Sequence, residues 1–403
     1  MIKLLFPIHL LLVVFAFRSK NNPDHEIKTK PGNLIMISID GLRWQEVFNG
    51  ADSFLLLSRK FVKQDSARMA EKYGSPDLSV RRHKLMPFFW TTLSTQGRLY
   101  SNRIHDNLVD VKNKYWFSYP GRSESLCGYY DTLINSNEYP PNPNENVLEF
   151  LNKQKNYAGK VVAFASWNAV SNILNRDRSG ILVNIPGEKI QAKKLSPEQV
   201  LANEQQFFLP QYFGPSVRWD VHTFAIGKSY MKANHPRVVH FDFADPDDLA
   251  HAGQYDAYLD ATHYLDAILA NLWDMIQQDP FYKNNTTLMI YPDHGRGLGE
   301  KWTSHGRATP LSYQTWLAMI GPQVSPKGEM KNSVQIYQDQ IAQTAAHFLG
   351  FKFVANHPVG EAIESLDPMR RINRSDASNK SIRCVGSIDP SLRISFFLFP
   401  ARK

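Results

Sequence analysis

Apolar residues fall into two patterns along this chain, short continuous runs and longer stretches with helical spacing. The continuous runs predict strands that are buried on both faces. They are Leu34–Ile39, Val161–Ala165, Val238–Phe243, Thr287–Tyr291 and Trp316–Ile320.

The helical pattern is strongest in Tyr255–Ile276, where an apolar residue recurs every three or four positions. Shorter helices are predicted for Met86–Gly97, Asn146–Leu151 and Ile336–Leu349. Strands that alternate with helices predict an α/β fold with a central, mostly parallel sheet and helices on both faces.

The stretch 170–235 breaks this pattern, being rich in Asn, Gln, Lys and aromatic residues with weak periodicity. We interpret it as a cap insertion over the sheet of one α/β domain that spans 25–367. Residues 1–20 contain the apolar run Leu4–Phe17 between basic residues, which predicts an export signal or, alternatively, an uncleaved N-terminal anchor. We therefore expect a periplasmic or extracellular protein.

The charge distribution excludes one class of partner. The formal net charge is +8, but residues 368–403, a basic tail, carry +6 and residues 1–30 carry +3, so the remainder carries −1. A body without excess positive charge predicts no nucleic-acid groove and favours a small-molecule substrate. The sequence leaves the oligomeric state open, and the two cysteines, Cys127 and Cys384, could pair or remain free thiols.

Carboxylates and imidazoles follow several of the predicted strands. Each taken alone has an ordinary explanation as a turn or helix-capping residue. Together, at the carboxyl ends of strands in an open α/β sheet, they predict a metal centre. A mixed nitrogen and oxygen ligand set favours zinc or a similar ion. The candidate ligands are Asp40, Asp247, His251, Asp293, His294 and His305.

Ser118 is the candidate nucleophile. It follows an aromatic run, and Pro120 and Gly121 predict a turn into a helix that starts near Arg122. A metal ion lowers the pKa of a bound hydroxyl and so activates it. The alternative is that Ser118 only caps this helix. Ser123 and Ser125 are less well placed because they fall inside the helix.

These motifs resemble the alkaline phosphatase superfamily over about 31–350, and most closely its type I phosphodiesterase and nucleotide pyrophosphatase branch in a compact, bacterial form. The matching segments are Ile37-Ser-Ile-Asp-Gly41, Ser118-Tyr-Pro with Gly128, Asp245-Pro-Asp-Asp-Leu-Ala-His251 and Pro292-Asp-His-Gly295. The resemblance implies an alkaline phosphatase-like fold and two zinc ions. It assigns one ion to Asp40, Ser118, Asp293 and His294, and the other to Asp247, His251 and His305.

The chain departs from that branch at several positions. Gly121-Arg122 stands where Asn-His is usual, and His305 follows the preceding motif more closely than is usual. The family places an asparagine near the attacked phosphoryl oxygen, for which Asn142 and Asn144 are candidates, although Asn144 is also a suitable N-cap for a helix that begins near Glu145. We interpret Arg122 either as a positive group near the substrate or as a surface salt-bridge partner.

The resemblance implies a metal-dependent hydrolase that cleaves phosphate esters through a phosphoseryl intermediate. Two alternatives remain. The pattern Ser118-x-Pro-x-Arg122 also resembles the sulfatase signature, although three imidazoles favour two zinc-like ions over the single calcium of that group. The chain could also be an exported binding protein that has the fold without turnover.

Overall fold

Eleven strands lie in the part of the chain that the computed structural model describes, residues 32–192 and 194–363. The predicted segments 1–20 and 368–403 lie outside these described residues, as does Cys384. The strands are β1 Asn33–Ile39, β2 Gly97–Tyr100, β3 Asn107–Asp110, β4 Val161–Ala165, β5 Leu182–Asn184, β6 Val238–Phe243, β7 Thr286–Tyr291, β8 Gln314–Thr315, β9 Leu317–Ile320, β10 Gly328–Glu329 and β11 Val334–Tyr337.

Fourteen α-helices occur in the same described residues, together with a π-helical turn at Phe89–Leu93 and three short 3₁₀ turns. The helices are α1 Trp44–Asn49, α2 Ser53–Leu56, α3 Ser66–Tyr73, α4 Leu78–Leu85, α5 Ser94–Gln96, α6 Ser118–Cys127, α7 Val147–Asn152, α8 Val170–Ile173, α9 Arg176–Ser179, α10 Pro197–Gln205, α11 Asp220–Asn234, α12 Asp245–His251, α13 Tyr255–Gln278 and α14 Ile341–Phe348. None of the helices among these residues combines the length and the apolar character that a membrane span needs.

The central sheet has eight strands in the order β10-β2-β9-β7-β1-β6-β4-β5. All its neighbouring pairs are parallel except the two that β9 makes with β7 and β2. A smaller sheet has the order β11-β3-β8. The predicted α/β class with a mostly parallel central sheet is therefore confirmed.

Helices cover both faces of this sheet. Alternate residues of β1 separate into two buried clusters: Ile35, Ile37 and Ile39 pack with α13, whereas Leu34 and Met36 pack with α6 and α14. Successive side chains of a strand point to opposite faces, so a run that is apolar at every position needs cover on both sides. This explains why the central strands were recognisable as continuous apolar runs.

Three local predictions were wrong. The helix predicted from Ile336 begins only at Ile341, because residues 334–337 pair with β3. The helix predicted near Arg122 already begins at Ser118. Pro120 fits its first turn, because backbone N–H groups in the first turn have no acceptor within the helix and proline has no N–H. The N-cap of α7 is Asn146, whose side chain accepts the Glu149 N–H, and not Asn144.

The stretch 170–235 contributes to both the sheet and its cover. Strand β5 pairs with β4 at the sheet edge, and α11 packs on β4 and β6. Between them, residues 185–192 and 194–219 form irregular chain and α10, which packs on α11.

Candidate metal centre

The predicted ligands converge because their strands are neighbours. β6, β1 and β7 are adjacent and parallel, so their carboxyl ends meet at one edge of the sheet. Asp40 directly follows β1, α12 begins two residues after β6, and Asp293 lies two residues beyond β7. The order of the strands in the sheet thus brings together three segments that are distant in the sequence.

The first cluster contains Asp40, Asp293 and His294. Asp40 Oδ1 lies 3.1 Å from His294 Nε2. Ser118 Oγ reaches the same two groups, 3.5 Å from Asp40 Oδ1 and 3.3 Å from His294 Nε2. All four residues are buried, with Ser118 only 4% exposed.

The orientation of His294 suits a metal ligand. Its Nδ1 lies 2.9 Å from the Gly295 carbonyl oxygen. A hydrogen bond donated there fixes the tautomer and leaves the Nε2 lone pair directed at Asp40 and Ser118. Asp293 is fixed as well, because its Oδ1 accepts hydrogen bonds from the Gly41 and His294 backbone N–H groups.

The second cluster contains Asp247, His251 and His305. The Nε2 atoms of the two histidines are 2.9 Å apart, and His251 Nε2 lies 3.1 Å from Asp247 Oδ2. The spacing of four residues places Asp247 and His251 on one face of α12. The His251 side chain is 47% exposed, so this cluster forms the open side of the site.

The two clusters touch. His294 Nε2 lies 4.0 Å from Asp247 Oδ1, and the rings of His294 and His305 stack with centroids 4.0 Å apart. The two sets of ligand atoms therefore adjoin, as ligand sets do in sites where two divalent ions share one substrate. His251 Nε2 and His305 Nε2 lie 2.9 Å apart beside the Asp247 carboxylate, so both imidazoles are available to one cation. The donor set therefore fits two divalent ions of the zinc type.

Arg122 lies beneath the first cluster and is only 1% exposed, so the prediction of a surface salt bridge is wrong. Its guanidinium contacts three carboxylates: Asp40 Oδ2 at 2.9 Å, Asp242 Oδ2 at 2.7 Å, and Asp293. Arg122 thus binds Asp40 Oδ2, whereas Ser118 lies next to Asp40 Oδ1. It also binds Asp293 Oδ2, whereas Asp293 Oδ1 accepts the two backbone N–H groups. Burial disfavours its charge, but the three carboxylates outweigh burial and raise the pKa of Arg122.

The pKa values of the clustered side chains reflect this crowding of charge. Burial, opposed by Arg122, raises the pKa of Asp293 to about 7. Burial alone would lower the pKa of His294, but the carboxylates of Asp293 and Asp40 outweigh it and raise that pKa to about 9. Burial and the neighbouring His294 hold the pKa of His305 well below its usual range. Protons held at Asp293 and His294 are ones that a bound cation would displace.

Sequence reasoning missed two charged residues beneath the clusters. Asp242 is a buried residue of β6 that also accepts the Ser38 hydroxyl at 2.5 Å, and the Arg122 cation lowers its pKa to about 2 in spite of burial. An acid inside a mostly apolar run was its only signal. Arg296 forms an ion pair with Asp247 and is fully buried. It stands one residue after the Asp-His-Gly motif, and no periodicity marks it.

Gly41 lies between Asp293 of the first cluster and Asp247 of the second. Its φ is +56°, and a Cβ there would lie 2.5 Å from Asp247 Oδ1 and 2.9 Å from Arg296 Nη1. Any side chain would displace the carboxylate, so only glycine fits this loop.

The two predicted asparagines lie away from Ser118. Asn144 donates to Asp131, and its carbonyl accepts from Arg178. Asn142 donates to Ser123 in the interior of α6. A third asparagine, Asn137, lies beside the nucleophile segment, since its Oδ1 accepts the backbone N–H of Tyr119 at 2.9 Å.

Comparison with known proteins supports the fold. The Metalloenzyme superfamily matches residues 220–351, the segment that carries both α12 and the Asp-His-Gly motif. No curated protein matches the sequence of the whole chain.

Solved structures with a similar fold include wild-type alkaline phosphatase PafA, with a TM-score of 0.56 and 11% identity over 84% of this chain and 99% of that one. A putative sulfatase from Bacteroides thetaiotaomicron has a TM-score of 0.52 and 12% identity over 83% and 74% of the two chains. The phosphonate monoester hydrolase from Silicibacter pomeroyi has a TM-score of 0.50 and 12% identity over 82% and 76%.

The expected resemblance is therefore confirmed for the fold, and structures named as a phosphatase, a sulfatase and a phosphonate hydrolase do not single out one branch. The chain has the fold of the alkaline phosphatase and sulfatase superfamily, and its residues 220–351 match the Metalloenzyme superfamily.

Proposed function

We propose that this protein is a metal-dependent hydrolase of small phosphate esters that uses Ser118 as its nucleophile. The observation that carries the proposal is the position of Ser118 Oγ, 3.3 Å from His294 Nε2 and 3.5 Å from Asp40 Oδ1 at the first turn of α6. A hydroxyl at a helix N-terminus, beside two clusters of metal-type ligands, is suited to attack an anionic ester.

Two zinc-type ions, when bound, would lower the pKa of the serine hydroxyl and neutralise charge on the ester. The residues that would hold them are Asp40, Ser118, Asp293 and His294 for one ion and Asp247, His251 and His305 for the other. The chain itself contributes fixed geometry: hydrogen bonds from Gly41 and His294 hold Asp293, and Arg122 holds Asp40.

In the proposed reaction, a bond forms between Ser118 Oγ and phosphorus as the bond from phosphorus to the leaving oxygen breaks. The serine hydroxyl loses its proton and the leaving oxygen gains one from solvent, which produces a phosphoseryl intermediate and the free alcohol. Water then attacks the phosphorus and the bond from phosphorus to Ser118 Oγ breaks, which restores the serine and releases inorganic phosphate from a monoester or a phosphate monoester from a diester. The open side near His251 is proposed to admit the ester; Tyr212 borders it, since its hydroxyl accepts a hydrogen bond from Gln254, three residues beyond His251.

We assign to Asn137 the asparagine role that the family resemblance implies. Its Oδ1 is used by the Tyr119 N–H, which leaves the amide nitrogen as a donor next to the residue that follows Ser118. A donor at that point suits an oxygen of the attacked phosphoryl group.

Replacing Asn137 by Ala should lower kcat/KM for a phosphate ester by about 10²-fold, because one donor to the developing charge is lost. The zinc content should not change, since Asn137 contacts no predicted ligand. Asn144→Ala is the matched control and should retain activity within about threefold. If Asn137→Ala had unchanged kinetics and Asn144→Ala had a reduced kcat/KM, the asparagine role would belong to Asn144.

A sulfatase-like activity is the second candidate. It is favoured by the Arg122 side chain, which follows Ser118 at the spacing of the sulfatase signature and contacts Asp40 and Asp293. The similar fold of a putative sulfatase is consistent with it. The three imidazoles in the two clusters favour phosphate ester hydrolysis over sulfate ester hydrolysis.

An activity panel separates the candidates. The purified protein would be assayed with an aryl phosphate monoester, an aryl phosphate diester, an aryl phosphonate monoester and an aryl sulfate, each before and after chelation. We expect a phosphate ester to be the best substrate, and activity to disappear on chelation and return with zinc. Hydrolysis of the sulfate that survives removal of zinc would contradict the proposal, as would the absence of turnover on every ester.

A further inference from the structure

Arg296 joins the two parts of the second cluster. One amino group of its guanidinium forms the ion pair with Asp247 Oδ1. The remaining donors bind backbone carbonyls of a different loop, Nε to Trp302 O at 2.7 Å and Nη2 to Thr303 O at 2.7 Å. His305 follows two residues after Thr303, so one side chain connects a predicted carboxylate ligand to the loop that carries a predicted imidazole ligand.

The contacts of Arg296 also determine which oxygen of Asp247 is available. Arg296 takes Oδ1, whereas Oδ2 faces His251 Nε2 at 3.1 Å. His305 is oriented from the opposite side, since its Nδ1 lies 3.3 Å from the Trp116 carbonyl oxygen. Asp247 and His305 are therefore both held by protein groups outside the cluster.

We infer that Arg296 is a positioning residue that preorganises the Asp247–His251–His305 site for the second divalent ion. The inference rests on the proposed two-ion function and specifies how one of the two sites is built. A planar guanidinium with a fixed fork can satisfy a carboxylate and two carbonyls at once, which a lysine ammonium cannot do in the same geometry. Groups that orient metal ligands typically change metal affinity by 10- to 100-fold when they are replaced.

The most informative variant keeps the positive charge at position 296 and removes the planar guanidinium. Removing the cation altogether would also strengthen the attraction of Asp247 for an ion, and the two effects would oppose each other. Arg296→Lys avoids this conflict. Its matched control is Arg43→Lys: Arg43 is equally buried, pairs with Glu46 and donates to the Gly297 carbonyl, but contacts no predicted ligand.

Zinc binding to chelator-treated protein would be followed by calorimetry. The wild type and Arg43→Lys should bind two ions per chain. Arg296→Lys should bind the first with unchanged affinity and the second 10- to 100-fold more weakly. If Arg296→Lys bound two ions with wild-type affinities, the inference about Arg296 would be overturned, and the proposed function would stand. Fewer than two ions bound by the wild type would instead contradict the proposed function.

A second measurement needs no variant, in case Arg296→Lys does not fold. The Gly297 N–H donates to the Ser304 carbonyl, and the Ser304 N–H to the Lys301 carbonyl, so both report on the loop that leads to His305. Hydrogen exchange of these amides in metal-free wild type should be nearly as slow as in the zinc-loaded protein, because Arg296 holds the loop in both. Protection that appears only after zinc is added would show that the ion orders the loop, and would overturn the inference.

Discussion

Ser118→Ala should abolish hydrolysis of the best ester in the activity panel, with kcat reduced by at least about 10³-fold. The methyl group leaves no atom that can form the phosphoseryl bond. Zinc content should stay at the wild-type value, because Asp40, Asp293 and His294 remain to hold the ion next to Ser118. The measurements are steady-state kinetics and metal analysis of the same preparations.

Ser125→Ala is the matched control for this variant. Ser125 is a buried serine of the same helix, and its hydroxyl donates to the Arg122 carbonyl at 3.1 Å instead of facing the clusters. Its loss should change kcat less than about threefold. Near wild-type turnover by Ser118→Ala would refute the nucleophile assignment, and loss of zinc in that variant would mean that Ser118 mainly holds the ion.

Arg122→Met should lower the free energy of unfolding of the metal-free protein by about 3–5 kcal/mol. The change leaves three buried carboxylates, Asp40, Asp242 and Asp293, without their common counter-ion. Zinc should restore part of this loss, since it binds two of the same carboxylates. Denaturant unfolding with chelator and with excess zinc measures both effects.

Arg43→Met provides the comparison. Its loss also breaks a buried ion pair, with Glu46, and should destabilise the protein to a similar degree. Zinc should stabilise Arg43→Met and the wild type equally, because no predicted ligand loses its partner. A loss below about 1 kcal/mol in Arg122→Met, or a loss that zinc leaves unchanged, would mean that Arg122 does not serve as the counter-ion of this site.

Much of the candidate site was predictable because its residues stand next to strong strand signals. Asp40, Asp293 and His294 follow buried, mostly apolar runs, and the sheet brings such strand ends together whatever the remaining details. The pairing of Asp247 with His251 needed only the helical repeat. The seven predicted ligands were thus available from local pattern and motif resemblance. The structure brings six of them into two adjoining clusters and places Ser118 beside the first.

Local sequence patterns could not predict that Arg122 and Arg296 are buried, or that Asn137 lies next to the nucleophile segment. An arginine in a sequence is most often exposed, and no periodicity marks Arg296 as buried. For Arg122 the motif left open a group near the substrate and a surface salt-bridge partner. Asn144 had a good local reason to be a helix cap, yet the helix starts two residues later and the cap is Asn146. Asn137 lies in a turn-rich segment without periodicity, and only the packing of that segment against α6 brings it beside Ser118.

Short-range periodicity and residue type were enough to predict the fold class, which polar residues follow the central strands, and which side chains are candidate metal ligands. Which charges compensate one another depends instead on tertiary packing. Burial of Asp40, Asp242, Asp247 and Asp293 is tolerable because Arg122 and Arg296 reach them from other segments. Such pairs depend on positions that are distant in the chain and are fixed only when the sheet, α6 and the loop beyond β7 pack together.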